Sequence, residues 1–73
     1  LISRPVAGAT LPTEKGYYMR AAYLVNGSLF SSAYVMGVVM SVNNDGVFFG
    51  YSTSGKICTA FKASAVWGSA REI

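Results

Sequence analysis

Residues 34–51 read YVMGVVMSVNNDGVFFGY, two apolar runs separated by the turn-forming segment Asn43-Asn44-Asp45-Gly46. Valine and aromatic residues favour strands, and glycine after Asp supplies the left-handed backbone that a tight turn needs. The pattern therefore predicts a β-hairpin with strands at 34–42 and 47–51, joined by the turn Asn43-Asn44-Asp45-Gly46.

The first strand of this hairpin is apolar on both faces. Strand alternation divides its residues into two sets, Tyr34, Met36, Val38, Met40 and Val42 on one face and Val35, Gly37, Val39 and Ser41 on the other. An antiparallel strand with one solvated face usually alternates apolar and polar residues. We therefore expect this strand to be covered on both sides, by a subunit interface or by the N-terminal segment.

Further strand and turn signals lie on both sides of the hairpin. They are a strand over 17–25 ending at Asn26-Gly27 and reversing into 28–30, a turn at 53–55, a strand over 56–61, a single helical turn over 62–65 and an extended path over 66–68. Gly37 and Gly50 stand where strands can bend sharply.

These elements predict an all-β fold with about five strands and short turns. The arrangement resembles in outline an SH3-like barrel, and the alternative is a strongly curled antiparallel sheet. The single small β domain is expected over 17–73. Residues 1–16 contain both prolines and are expected to form an extended arm or linker. The resemblance is architectural and implies no functional residues.

Composition indicates more apolar surface than one small core can bury. Hydrophobic residues make up 52% of the 73-residue chain and charged residues 12%, whereas soluble domains average about 25% charged residues. A chain of this length buries only about 60% of the surface that its unfolded form exposes. We therefore expect an exposed apolar patch of the kind that marks a binding surface.

The residue types needed for common catalytic and metal sites are scarce. The chain has no histidine, which removes the usual general base, and its acidic residues Glu14, Asp45 and Glu72 are far apart in sequence. Cys58 is the only cysteine, and its strand neighbours indicate a buried small hydrophobic residue rather than a reactive thiol. We predict no enzymatic activity, no metal site and no cofactor.

The apolar excess and the two-faced strand favour a non-enzymatic protein-interaction module that self-associates. Such a domain would serve as an assembly subunit or as a small accessory or regulatory factor, with a second copy or a larger protein as its partner. The predicted interface residues are Tyr34, Met36, Met40 and Phe48. Phe48 and Phe49 must point to opposite faces of their strand, so only one of them belongs to the core.

The alternative function is a nucleic-acid-binding small β-barrel. Exposed aromatic side chains can stack on bases while Lys and Arg hold the phosphate backbone. The candidate contacts are Tyr18, Arg20, Tyr51, Lys56 and Lys62. The formal charge of +3 permits this function, but the basic residues are spread along the chain.

The sequence also supports some smaller expectations. Trp67 is expected to plug one end of the barrel or to anchor an interface. The longest apolar stretch, 33–40, is shorter than a membrane span, and one unpartnered thiol favours a cytoplasmic location. The chain begins with Leu1, which leaves a removed leader open, and a short cysteine-poor chain of this kind is frequent among phage proteins.

Overall fold

The computed structural model describes residues 6–8 and 10–73, and within them all regular structure is β. The strands are β1 (Val6–Gly8), β2 (Tyr18–Leu24), β3 (Val35–Val42), β4 (Asp45–Ser52), β5 (Ile57–Ala63) and β6 (Val66–Glu72). The all-β prediction is confirmed. Part of the predicted arm, residues 1–5 and 9, lies outside the described residues.

The strands form one mixed sheet in the order β1-β2-β3-β4-β5-β6. β1 runs parallel to β2, and every later strand is antiparallel to the one before it. Since β1 and β6 are the two edges and do not pair, the sheet is open. The predicted five-stranded, SH3-like barrel is therefore not confirmed, and one of the six strands comes from the segment predicted as an arm.

The turn between β3 and β4 is shorter than predicted. The β3–β4 reversal lies at Asn43-Asn44, so Asp45 and Gly46 are the first residues of β4 rather than the turn itself. Asn43 takes the left-handed conformation, with φ of 59°. Asparagine tolerates this region because its short polar side chain can hydrogen-bond locally.

The helical turn predicted over 62–65 is wrong. β5 continues to Ala63, and a two-residue turn at Ser64 and Ala65 leads directly into β6. Both turn residues have positive φ, 52° and 66°. Such a turn matches the right-handed twist of the strands it joins, which explains a tight hairpin without glycine.

One face of the sheet, here called the inner face, carries the core. Two connections cover it: the strap, defined as residues 10–16, and the long loop between β2 and β3. The strap contributes buried Leu11 and the loop contributes buried Phe30, whose ring lies 5.6 Å from that of Phe48. The buried apolar residues are Leu11, Tyr18, Ala22, Leu24, Phe30, Val35, Val39, Phe48, Cys58 and Ala60.

Candidate interaction surface

The opposite face of the sheet, here called the outer face, is apolar and exposed. Its large apolar side chains on β2–β5 are each exposed by 42–56%; they are Tyr23, Met36, Met40, Val42, Phe49, Tyr51, Ile57 and Phe61. Strand alternation explains their position, because each one neighbours a buried residue of the inner face. A contiguous apolar surface on a small domain is the usual mark of an interaction site.

Cross-strand pairing orders the outer face into rows. Three rows cross β2, β3, β4 and β5 in turn: Met19, Met40, Val47 and Phe61; Ala21, Val38, Phe49 and Thr59; Tyr23, Met36, Tyr51 and Ile57. Side chains within a row touch or nearly touch, since paired Cβ atoms lie about 5 Å apart. The outer face is therefore one continuous surface.

Two tyrosines form a stacked pair at one end of the outer face. The rings of Tyr23 and Tyr34 are nearly parallel, with an interplanar angle of 4° and centroids 6.0 Å apart. Both side chains remain more than two-fifths exposed. The pair orders this end of the surface while leaving it accessible.

Three of the four residues predicted for an interface lie together on the outer face: Tyr34, Met36 and Met40. Phe48, predicted with them, lies on the inner face and is fully buried. Phe49 takes the exposed position, because the alternation of β4 places these neighbours on opposite faces. Whether the three exposed residues contact a partner stays a prediction.

Lys62 is buried at one end of the inner face. Its Nζ donates hydrogen bonds to the Glu14 carbonyl oxygen at 3.1 Å, to the Tyr18 hydroxyl at 3.3 Å and to Ser41 Oγ at 3.1 Å. These acceptors use all three donors of a lysine ammonium. The rings of Tyr18 and Trp67 lie 5.5 and 5.7 Å from Nζ, within cation–π range. Lys62 therefore fastens the strap to the sheet.

Burial removes two of the five predicted nucleic-acid contacts from the surface. Lys62 has no exposed area and Tyr18 is 8% exposed. Both belong to the buried cluster around the lysine ammonium. Neither side chain offers a free group for a base or a phosphate in this conformation.

Arg20, another predicted contact, is engaged within the chain. Its guanidinium pairs with both carboxylate oxygens of Glu14 and lies 4.4 Å from the ring centre of Tyr18. The hydrogen bond to Glu14 raises the pKa of Arg20 above its ordinary value. This pair holds the strap from the same side as Lys62.

The remaining basic residues that the structure describes do not form one surface. Lys56 is exposed in the β4–β5 turn, Lys15 in the strap and Arg71 on β6, whereas Tyr51 lies on the outer face. A nucleic-acid site normally gathers basic side chains on one face. Among the described residues no such cluster brings the predicted contacts together.

Cys58 is fully buried in the core beside Ala60. Burial raises the pKa of its thiol, which lowers its nucleophilicity because the thiolate is the reactive form. Within residues 6–8 and 10–73 no group of three or more His, Cys, Asp or Glu side chains could hold a metal ion.

Glu72 fastens the loop between β2 and β3 to the last strand. Its carboxylate accepts hydrogen bonds from the Ser31 amide at 2.8 Å, from Ser31 Oγ at 2.7 Å and from Ser32 Oγ at 2.9 Å. These donors lower the pKa of Glu72 to about 2. Nothing in the sequence pattern linked a C-terminal acid to two loop serines.

Trp67 borders an open apolar groove of about 400 Å³ between the strap, the β2–β3 loop and the β5–β6 turn. Its indole Nε1–H donates a 2.7 Å hydrogen bond to the carbonyl oxygen of Pro12. The groove wall also includes Leu11, Leu29 and Val66. The tryptophan packs against the edge of the core and tethers the strap.

Comparison with known proteins does not assign a role to the outer face. No protein-family model, curated protein or solved structure matches the chain. In the part of the chain that the structure describes, no helix is long and apolar enough to cross a membrane.

Proposed function

We propose that this chain is a non-enzymatic protein-interaction module that self-associates through its outer face and acts as a subunit of an assembly or as a small accessory factor. The observation that supports the proposal is the set of eight large apolar side chains on that face, each exposed by 42–56%. Leaving such a surface in water is unfavourable, and its burial drives most protein association.

The size of the outer face fits a specific interface. Large side chains offer on the order of 200 Å² each, so eight half-exposed ones sum to roughly 800 Å². A standard protein interface buries about 800 Å² on each partner. The outer face is therefore large enough for one stable contact of this kind.

The charge of the outer face favours a second copy over a charged partner. Two charged side chains lie at the margins of this face: Asp45, which pairs with Val42 at the start of β4, and Arg71, which pairs with Thr59 from the edge strand β6. Between them the described face is neutral, so it offers no charge pattern that would select a differently charged protein. A neutral apolar surface is complementary to itself.

The experiment that tests the proposal is the native mass by size-exclusion chromatography with light scattering over a hundredfold concentration range. We expect a multiple of the chain mass for the wild type and a monomer for Phe49→Glu, because a buried unpaired carboxylate is strongly unfavourable. Leu29→Glu is the matched control, since Leu29 is also about half exposed, at 46% against 56% for Phe49, but lies in the β2–β3 loop. A wild-type monomer at every concentration would contradict the proposal.

A further inference from the structure

The two halves of the outer face differ in their methionine content, although the stacked pair Tyr23 and Tyr34 adds aromatic rings to the β2–β3 half. All three methionines of the chain lie on its β2–β3 half, at Met19, Met36 and Met40. The β4–β5 half carries Phe49, Tyr51 and Phe61. The first half is here called the methionine half and the second the aromatic half.

The methionine half contains a hollow, and the aromatic half contains a projection at the same level. The hollow, about 160 Å³, is lined by Met19, Ala21, Gly37 and Val38 together with Arg20. Phe49 is 56% exposed and lies in the row that also holds Ala21 and Val38. The projection and the hollow therefore lie at the same position along the strand direction, but on different strands of the sheet.

We propose that two copies pack outer face to outer face about a two-fold axis that runs parallel to the strands, between β3 and β4. This axis places each row of one copy opposite the same row of the other copy. It also places the methionine half of one copy against the aromatic half of the other. The Phe49 ring of each copy then enters the hollow beside Val38 and Ala21 of the other. The inference rests on the proposed self-association and specifies its geometry.

The exchange of halves also joins complementary side chains. Met36 faces Tyr51 of the second copy, and Met19 faces its Phe61. Methionine sulfur makes favourable contacts with aromatic rings, and its flexible side chain fills gaps around them. The aligned strands fit the angle of about 30° at which stacked sheets normally pack.

The competing two-fold axis, perpendicular to the strands, packs each half against its like. The two Phe49 rings would then meet each other, and both hollows would stay empty. An empty hollow loses the dispersion contacts that a filled one makes. The observed surface therefore favours the axis parallel to the strands.

Engineered cysteines at positions 21 and 59 test the axis. Within one chain these positions lie on β2 and β5, three strand spacings or about 14 Å apart. Sheets packed face to face lie about 10 Å apart, which is beyond the Cα separation of about 7 Å that a direct disulfide allows. Side chains that face each other across the interface can still be joined by a short bifunctional thiol reagent, which cannot join positions 21 and 59 of one chain because both side chains point away from the same sheet. The proposed axis places Ala21 opposite Thr59 of the second copy.

We expect the Ala21→Cys, Thr59→Cys double variant to form a covalent dimer with a short bifunctional thiol reagent, and neither single variant to do so. The wild type is the control, because its buried Cys58 should not react with the reagent. Circular dichroism and native mass establish that each variant folds and associates. Cross-linking of Ala21→Cys alone would overturn the proposed axis, and so would a native dimer of the double variant that does not cross-link. Neither result would contradict self-association. A wild-type monomer would overturn both.

A second variant pair tests the fit of Phe49 into the hollow. We expect Phe49→Ala and Ala21→Phe each to weaken dimerisation at least tenfold, the first by removing the projection and the second by filling the hollow. The double variant Ala21→Phe, Phe49→Ala exchanges the two and should dimerise within a few-fold of the wild type. A double variant as weak as the two single effects combined contradicts the inference.

Discussion

Gly37 and Gly50 are directly opposed cross-strand partners on β3 and β4, and neither can carry a side chain. A Cβ at Gly37 would overlap the carbonyl oxygen of Phe49 and lie 2.5 Å from Gly50 Cα. A Cβ at Gly50 would lie 2.5 Å from the Phe48 ring. The glycine pair lets the hairpin curl while Phe48 lies across it.

We therefore expect Gly37→Ala to lower the free energy of unfolding by about 3 kcal/mol or more, because backbone rather than a flexible side chain must move. Urea unfolding followed by tryptophan fluorescence measures the change. Gly68→Ala is the matched control, since a Cβ there has no neighbour within 4 Å. Similar losses in the two variants would contradict the role of the glycine pair.

Replacing Lys62 by an apolar residue of similar length should lower the free energy of unfolding less than truncating it to alanine. Lys62→Ala leaves a cavity among Tyr18, Ser41 and Trp67 and should cost about 3 kcal/mol of unfolding free energy. Lys62→Met keeps the volume and should cost about 1 kcal/mol or less. The Tyr18 hydroxyl still donates to the Glu14 carbonyl, so that acceptor keeps a partner. Thermal unfolding of both variants checks the order, and equal losses would mean that the hydrogen bonds dominate over packing.

Glu72 should make stability fall in acid. Its pKa is about 2 in the folded chain, against an ordinary value of 4.5. The unfolded chain therefore binds more protons between these values, so the stability contributed by Glu72 is present above about pH 4.5 and is lost as the pH falls to 2. Unfolding midpoints from pH 6 to pH 2 should decline less in Glu72→Gln than in the wild type. Parallel pH profiles of the two proteins would contradict the carboxylate's role in holding Ser31 and Ser32.

Replacing Ala65 by glycine should stabilise the turn between β5 and β6. Ala65 has φ of 66°, a conformation that costs an L-residue roughly 1–2 kcal/mol. We expect Ala65→Gly to raise the free energy of unfolding by about 0.5–1 kcal/mol. Ala63→Gly, two residues earlier in an extended strand, is the control and should lower it by about 0.5–1 kcal/mol. A loss in both variants would argue against strain at the turn.

Strand alternation alone predicted which residues of β3 share a face, and the structure places Tyr34, Met36 and Met40 on one side and Val35 and Val39 on the other. This prediction is reliable because side chains alternate with a period of two along any strand. Alternation does not say which face is covered. That was decided by Phe30, from a loop distant in sequence, which packs on Phe48 and not on Phe49.

Lys62 shows a signal that sequence reasoning could have used. It alternates with Cys58 and Ala60, which both lie in the core, so its side chain had to start from the inner face. Its hydrogen-bond partners could not be predicted, because Glu14 is 48 residues away and reaches Lys62 only through the path of the strap. Likewise, the pairing of β1 with β2 is a parallel contact that no local turn signal encodes.

Methionine oxidation should report burial of the outer face. Met36 and Met40 are 55% and 42% exposed in the single chain and would be covered in the proposed assembly. Peroxide converts exposed methionine to the polar sulfoxide, which disrupts an apolar contact. At protein concentrations well above the dimer dissociation constant, we expect oxidation to slow by about the factor by which the monomer fraction falls. Mass spectrometry at several concentrations measures the rate, and Phe49→Glu is the control whose rate should not depend on concentration. A concentration-independent wild-type rate, together with a dimeric native mass, would place the interface elsewhere on the chain.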